Sequence, residues 1–169
     1  HIRNCNGGSG GIDITPSSGA ARVSINDSYI TGSSRAIRIN PAGANVFYSI
    51  ERTLLEYNST GLFASGSGNF SSRGVMRNST SSINGYFGIQ ITSPTRSATL
   101  LLSDVTLQAN FSGLQANGAG AAVYVERSRI VQNSTGVSTT SSGKIFSHGN
   151  NSVVDNSTNG TFTGPVPLQ

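Results

Sequence analysis

The chain has no tryptophan, one cysteine (Cys5) and one methionine (Met76). A lone thiol forms no intrachain disulfide, so internal cross-linking contributes nothing to the fold. Charge is scarce too, with only 11% of residues Asp, Glu, Lys or Arg. Ten of the eleven basic residues are Arg, and they are scattered. Scattered cations make no basic stripe, so a nucleic-acid partner is not expected. No apolar run approaches the roughly 20 residues of a bilayer span. A sustained helical period is missing as well.

What is abundant is small and polar. Gly, Ser, Thr and Asn supply 80 of the 169 residues. Such a composition can leave a chain disordered, because these side chains bury little apolar surface. Here, however, Ile, Val and Leu recur at fixed places between turn residues. The length fits one domain, residues 1–169.

The recurrence is a repeat. A small residue followed by apolar-x-apolar occurs as "GIDIT" from Gly11, "AIRIN" from Ala36 and "GLFAS" from Gly61. It returns as "GIQIT" from Gly88, "GLQAN" from Gly113, "GVSTT" from Gly136 and a terminal "GTFTG" from Gly160. The steps are 25, 25, 27, 25, 23 and 24 residues, with two extra residues in the third copy. Each copy has a second alternating run, such as "VSINDSYI" (23–30), "YSIERTLL" (48–55) and "VYVERSRI" (123–130). Alternation with a period of two is the mark of strands. Pro16, Pro41 and Pro94 follow the first strand of their copies, where corners are expected.

A 25-residue unit of short strands cannot bury its own inner face, whereas stacked units can. Coils about 4.8 Å apart would give six coils a length of roughly 29 Å. Three inward ladders are expected. One holds Ile12, Ile37, Leu62, Ile89, Leu114 and Val137. The next holds Ile14, Ile39, Ala64, Ile91, Ala116 and Thr139. The third holds Ile30, Leu55, Leu107, Ile130 and Val154. Charged residues avoid all three. The fold expected is all-β, a right-handed parallel β-helix of about six coils.

The pattern apolar-x-apolar, Asn or Ser near a turn, then Gly-apolar-x-apolar resembles the parallel β-helix proteins of the pectate-lyase-like superfamily. The resemblance covers essentially the whole chain. It implies a fold and leaves function open, since the superfamily holds lyases, hydrolases, epimerases, adhesins, tailspikes and noncatalytic proteins. It carries the expectation of a secreted or cell-surface protein. "HIRNCN" (1–6) reads as the tail of an earlier coil, with Ile2 and Cys5 facing inward. An upstream segment or a partner is then expected to cover that coil edge. Residues 161–169, with two prolines, read as a capping tail.

The superfamily's enzymes work on the outer face of one strand ladder with closely placed carboxylates or with Arg or Lys as base. In the Gly-led ladder the outward positions are Asp13, Arg38, Phe63, Gln90, Gln115 and Ser138. A single carboxylate there lacks the partner that glycosidic acid–base chemistry needs. His148, in "FSHGNN", has no acid close by in sequence. These residues call for no cofactor and no metal ion. The remaining charges read as a structural column of Asp27, Arg52, Arg77, Asp104, Arg127 and Asn151, pairing across neighbouring strands.

A binding role rests on aromatic residues. Tyr86 and Phe111 hold the same place in consecutive coils, with Tyr57, Phe63 and Phe87 near the same edge. Such rings suit the CH faces of sugars, with Arg38, Gln90, Gln115 and Asn117 supplying hydrogen bonds. The alternative is that Phe87 and Phe111 pack onto the irregular third coil. The column Thr15, Asn40, Ser65, Thr92, Asn117 and Thr140 is only half Thr, too mixed for an ice-binding ladder. The expected function is therefore a noncatalytic solenoid that binds polysaccharide or serves as an adhesive or structural stalk. A lyase or epimerase with an incomplete site is the alternative.

Nine Asn-x-Ser/Thr matches occur, starting at Asn26, Asn58, Asn69, Asn78, Asn110, Asn133, Asn150, Asn156 and Asn159. They have the form of glycosylation acceptors. Asn58, Asn110 and Asn133 each stand three residues before a coil-leading Gly. Asn tolerates left-handed backbone and bonds its own turn. These three are therefore expected to stack as a hydrogen-bonded asparagine ladder, with the acceptor pattern a by-product of the fold.

Overall fold

The computed structural model describes residues 1–5 and 10–166. Asn6 of the "HIRNCN" segment and Pro167–Gln169 of the C-terminal tail lie outside the described residues. All described regular structure is strand, arranged as three parallel sheets. No described helix is long and apolar enough to cross a membrane.

Sheet A has seven short strands: Ile2–Arg3, Tyr29–Thr31, Leu54–Glu56, Thr80–Ser82, Thr106–Gln108, Arg129–Val131 and Ser152–Val154. Sheet B has six: Ile12–Ile14, Arg35–Ile39, Thr60–Ser65, Phe87–Thr92, Ser112–Asn117 and Thr135–Thr140. Sheet C has seven: Ala21–Asn26, Val46–Glu51, Ser72–Arg77, Ala98–Ser103, Ala121–Glu126, Lys144–Ser147 and Gly164–Pro165. The chain visits B, C and A in turn and then starts the next coil. The result is a β-solenoid of about six coils, as the repeat requires.

Each strand pairs with its equivalent one coil away, so every inward residue meets the residue at the equivalent position above and below. Ile12, Ile37, Leu62, Ile89, Leu114 and Val137 form one such column. The residues of the middle coils, from Ile37 to Leu114, are fully buried. Completely burying such a side chain contributes about 2 kcal/mol, so the core gains by stacking what no single coil could supply. In sheet A the ladder runs Ile30, Leu55, Ser81, Leu107, Ile130 and Val153. Val153 therefore takes the place expected of Val154, which pairs with Val131 and is exposed. The sequence run "NNSVVDN" allows either valine inward, and the corner before it decides.

Corners explain the other departures from the expected register. Ser81 to Ile89 spans eight positions, where Leu55 to Leu62 spans seven. Leu62 to Ser72 spans ten, where Ile37 to Val46 spans nine. The two extra residues of the third copy are thus split between two corners. The same shift moves Arg77 out of the expected charge column. Arg77 pairs with Glu51 and Ser103, and Asn78 takes the left-handed corner position beside Arg52 and Asp104. At the last coil, Asn150 rather than Asn151 accepts the Arg127 backbone N–H. Thr135 bridges Thr158, so Asn159 and not Gly160 stands next to Gly136. In the tail, Gly164 and Pro165 pair with Phe146 and Ser147, and Phe162 packs against the core.

Candidate functional site

The corner from sheet A to sheet B determines which side chains leave the core. Its first residue is left-handed in every coil: Asn4, Gly32, Tyr57, Ile83, Ala109, Gln132 and Asp155, with φ between 53° and 68°. That turn throws the first side chain outward and the next one inward. The inward residue is Asn in most coils.

Asn58, Asn84, Asn110 and Asn133 are buried and form one continuous ladder. The Oδ1 of Asn110 accepts the Asn84 backbone N–H at 3.0 Å and its Nδ2–H at 2.9 Å. Asn110 Nδ2 in turn donates to Asn133 Oδ1 and to the Ser81 carbonyl, both at 3.0 Å. Asn133 repeats the bond to Asn156 Oδ1 at 2.9 Å, and the Ser33 N–H closes the other end on Asn58 Oδ1 at 2.9 Å. The expected ladder of Asn58, Asn110 and Asn133 is present, and it also contains Asn84 and Asn156. Asn84 escaped the sequence reading because Gly85 lengthens its corner, placing it four residues before Gly88. Buried and fully bonded, Asn58, Asn110 and Asn133 present no accessible amide to a glycan.

One residue beyond Asn110, and two beyond Asn84, the chain surfaces again. Tyr86 and Phe111 lie side by side there, since Ser112 N donates to the Tyr86 carbonyl. Six large apolar side chains are exposed among the described residues. Four of them sit on this one corner: Tyr57 (59% exposed), Ile83 (44%), Tyr86 (63%) and Phe111 (62%). Together they make a ridge over three successive coils. None of its rings is stacked against another described aromatic residue. A recess of about 400 Å³ lies beside Ile83, Phe111 and Gln132. A second, of about 290 Å³, lies beside Arg35, Tyr86 and Gln90.

The other residues singled out from the sequence stand elsewhere. Arg38, Phe63, Gln90 and Gln115 do share one outer column of sheet B. Their polar groups are engaged with each other and with neighbours. Arg38 Nη1 lies 3.0 Å from Asp13 Oδ2. Gln90 Nε2 donates to Gln115 Oε1 at 2.8 Å. The Arg35 guanidinium covers the Phe63 ring at 4.7 Å. Phe87 is half-buried at the head of its strand, whereas Phe111 is exposed, so Phe87 is the better packed of the two. Asn117 ends its strand at the opposite edge of sheet B, roughly 17 Å from the ridge at 3.3 Å per residue.

Sheet C holds a feature the sequence reading passed over. Val75, Leu101, Tyr124 and Phe146 share an outer column and are half-exposed. Tyr124 and Phe146 stack at 5.3 Å between centroids, so their faces are turned to each other. Arg22 lies 5.2 Å from the Phe47 centroid, beside a recess of about 470 Å³ that also touches Arg73. The signal was visible in "LLLSD" and "VYVER", where an apolar residue interrupts the outward polar positions.

No protein-family model, curated protein or solved structure matches the chain.

Five of the seven acidic residues are tied to arginines. Asp27 pairs with Arg52 at 2.7 Å and Asp104 with Arg127 at 3.1 Å. Each bonded guanidinium holds its partner's carboxyl below the usual carboxylate range. Glu51 and Glu126 join the same two arginines, and Glu56 accepts from Ser82 Oγ at 2.8 Å. Among the described residues no group of three His, Cys, Asp or Glu is placed to hold a metal ion. His148 is half-buried, and its Nδ1 has no partner among the described residues.

Proposed function

We propose that the chain is a noncatalytic solenoid, secreted or on the cell surface, that binds polysaccharide through its A-to-B corner. The observation that carries this reading is the concentration of exposed rings, Tyr57, Tyr86 and Phe111, on one corner. Their faces are open, and aromatic faces meet the apolar CH faces of sugars while hydroxyls and amides around them bond the sugar hydroxyls. Ser59 and Ser134 flank the two rings in the same column, and Gln132 borders the recess. The noncatalytic part is supported by the acids. Five of the seven carboxylates stand in arginine ion pairs. Asp27 and Asp104 are held as stronger acids by their arginines, the opposite of what a general acid requires.

The test is a polysaccharide panel assayed for retention of the protein and for release of sugars. Retention without release is expected. Release of unsaturated or shortened sugars would establish the alternative, a carbohydrate-active enzyme, instead. Failure to retain the protein on any polymer would leave a structural stalk.

A further inference from the structure

We infer that the ligand is the flat face of an insoluble, uncharged polysaccharide whose chains pack side by side. This rests on the binding reading above and names the form of ligand it fits.

Shape is the first ground. Tyr57 and Ile83 occupy the left-handed position where the chain turns from one sheet to the next, and Tyr86 and Phe111 follow just beyond. The apolar side chains thus stand on a convex edge, with shallow recesses on either side. A soluble ligand is held by burial, usually 70–90% of its surface. A ridge can touch a single chain on one side only, and it must also immobilise that chain. A packed surface is already ordered and presents a plane on which every ridge residue can rest.

Rigidity is the second ground. Directly beneath the ridge lies the buried ladder of Asn58, Asn84, Asn110 and Asn133. Parallel strands fix the coils about 4.8 Å apart. Aromatic side chains on such a base lose little freedom when they bind.

Charge is the third. The left-handed column from Gly32 onward reads Gly32, Tyr57, Ile83, Ala109, Gln132 and Asp155. The column of the rings reads Ser34, Ser59, Tyr86, Phe111, Ser134 and Ser157. Neither contains Lys or Arg, and the only acid is Asp155 in the last coil. A polymer carrying carboxylates or sulfates would find no cation on the ridge itself, and the one cation lining its two recesses, Arg35, lies over the Phe63 ring. The residue choice at Ile83 fits the same conclusion. A β-branched residue is rarely left-handed, and Gly, Ala and Gln serve at the same position in other coils. Contact with an apolar plane gives the isoleucine a purpose that folding does not.

The experiment is depletion of the protein from solution by microcrystalline cellulose and by α-chitin, alongside soluble cello- and chito-oligosaccharides. Binding to at least one insoluble polymer, with no measurable binding to its oligosaccharide, is expected. Changing salt from about 0.1 to about 1 M should leave that binding unaltered, because an uncharged polymer offers no ion pair to screen. The double variant Tyr86→Ala, Phe111→Ala should weaken it by about tenfold or more. Phe47→Ala, on sheet C, should not change it. Circular dichroism checks that each variant is folded, and Ile83→Asn supplies a second ridge variant suited to left-handed backbone. Equal or better binding to soluble chains overturns this inference and spares the proposed function. Binding to none of them, or only to other polymers in a salt-sensitive way, overturns it as well. Dimers that disappear in the double variant would instead assign the ridge to a second copy of the chain.

Discussion

Replacing Asn110 with Ala should destabilise the solenoid more than any exposed substitution. Asn110 is 3% exposed and makes four side-chain hydrogen bonds. Two of its partners survive the loss: Asn84 Nδ2 keeps the Leu55 carbonyl and Ser81 Oγ, and Asn133 Oδ1 keeps the Asn110 backbone N–H. Two lose their side-chain partner, the Asn84 backbone N–H and the Ser81 carbonyl. An orphaned buried polar group costs about 1–3 kcal/mol. The substitution should therefore cost about 2–6 kcal/mol, a large share of the roughly 5–15 kcal/mol that holds a domain. The assay is urea unfolding followed by circular dichroism, with Asn69→Ala as the exposed control. Asn69 lies in an exposed corner and accepts only from Arg96, so its loss should cost less than about 0.5 kcal/mol. A loss below about 1 kcal/mol at Asn110, with an unchanged urea slope, would refute the argument that the ladder is an obligatory partner set.

Ile83→Asn should raise the thermal midpoint, gaining about 1 kcal/mol by relieving left-handed strain at a β-branched residue. A lower midpoint would show that the isoleucine supports the fold after all. Gly74→Ala should destabilise strongly, since a Cβ there would run into the buried Tyr48 ring. The cost is about 1–3 kcal/mol, and combining it with Tyr48→Val should recover part of the loss in a double-mutant cycle. Asp104→Asn addresses acid stability. Arg127 lowers the folded carboxyl below its ordinary value of 3.8, so its contribution is present above that value and lost as pH falls through the folded value. The variant's deficit at neutral pH should therefore vanish in strong acid, as read from unfolding midpoints across the acid range; a deficit independent of pH would contradict the assignment.

The sequence carried the architecture because stacking repeats one inward pattern. Leu62, Ile89 and Leu114 occupy equivalent places and pair in register. Errors arose where spacing changes by one. Asn84 and Arg77 were displaced by single insertions, and Val153 exchanged places with Val154. A one-residue slip reverses the face of every side chain in a strand, yet leaves composition and period untouched. The candidate site was half legible. Tyr86 and Phe111 are aligned by their distance from the glycines, so their adjacency follows from the repeat. The engagement of Gln90 with Gln115, or of Phe63 with Arg35, depends on rotamers that no spacing reveals. Ile83 was overlooked because nothing local marks a left-handed position except the ladder itself.

The three corners differ in how freely they vary in length. Between the strands of sheets C and A lie two residues in the first five coils, and between A and B three or four where the corner is fully described. Between B and C the connection falls from six residues (15–20, 40–45, 66–71) to five (93–97) and then three (118–120, 141–143). Each sheet keeps its pairing across that range. This third corner is thus a natural grafting point. Foreign segments inserted there would project sideways without shifting any coil, and since the aromatic corner lies at the opposite edge of sheet B, a new binding loop could be added while the ridge stays intact.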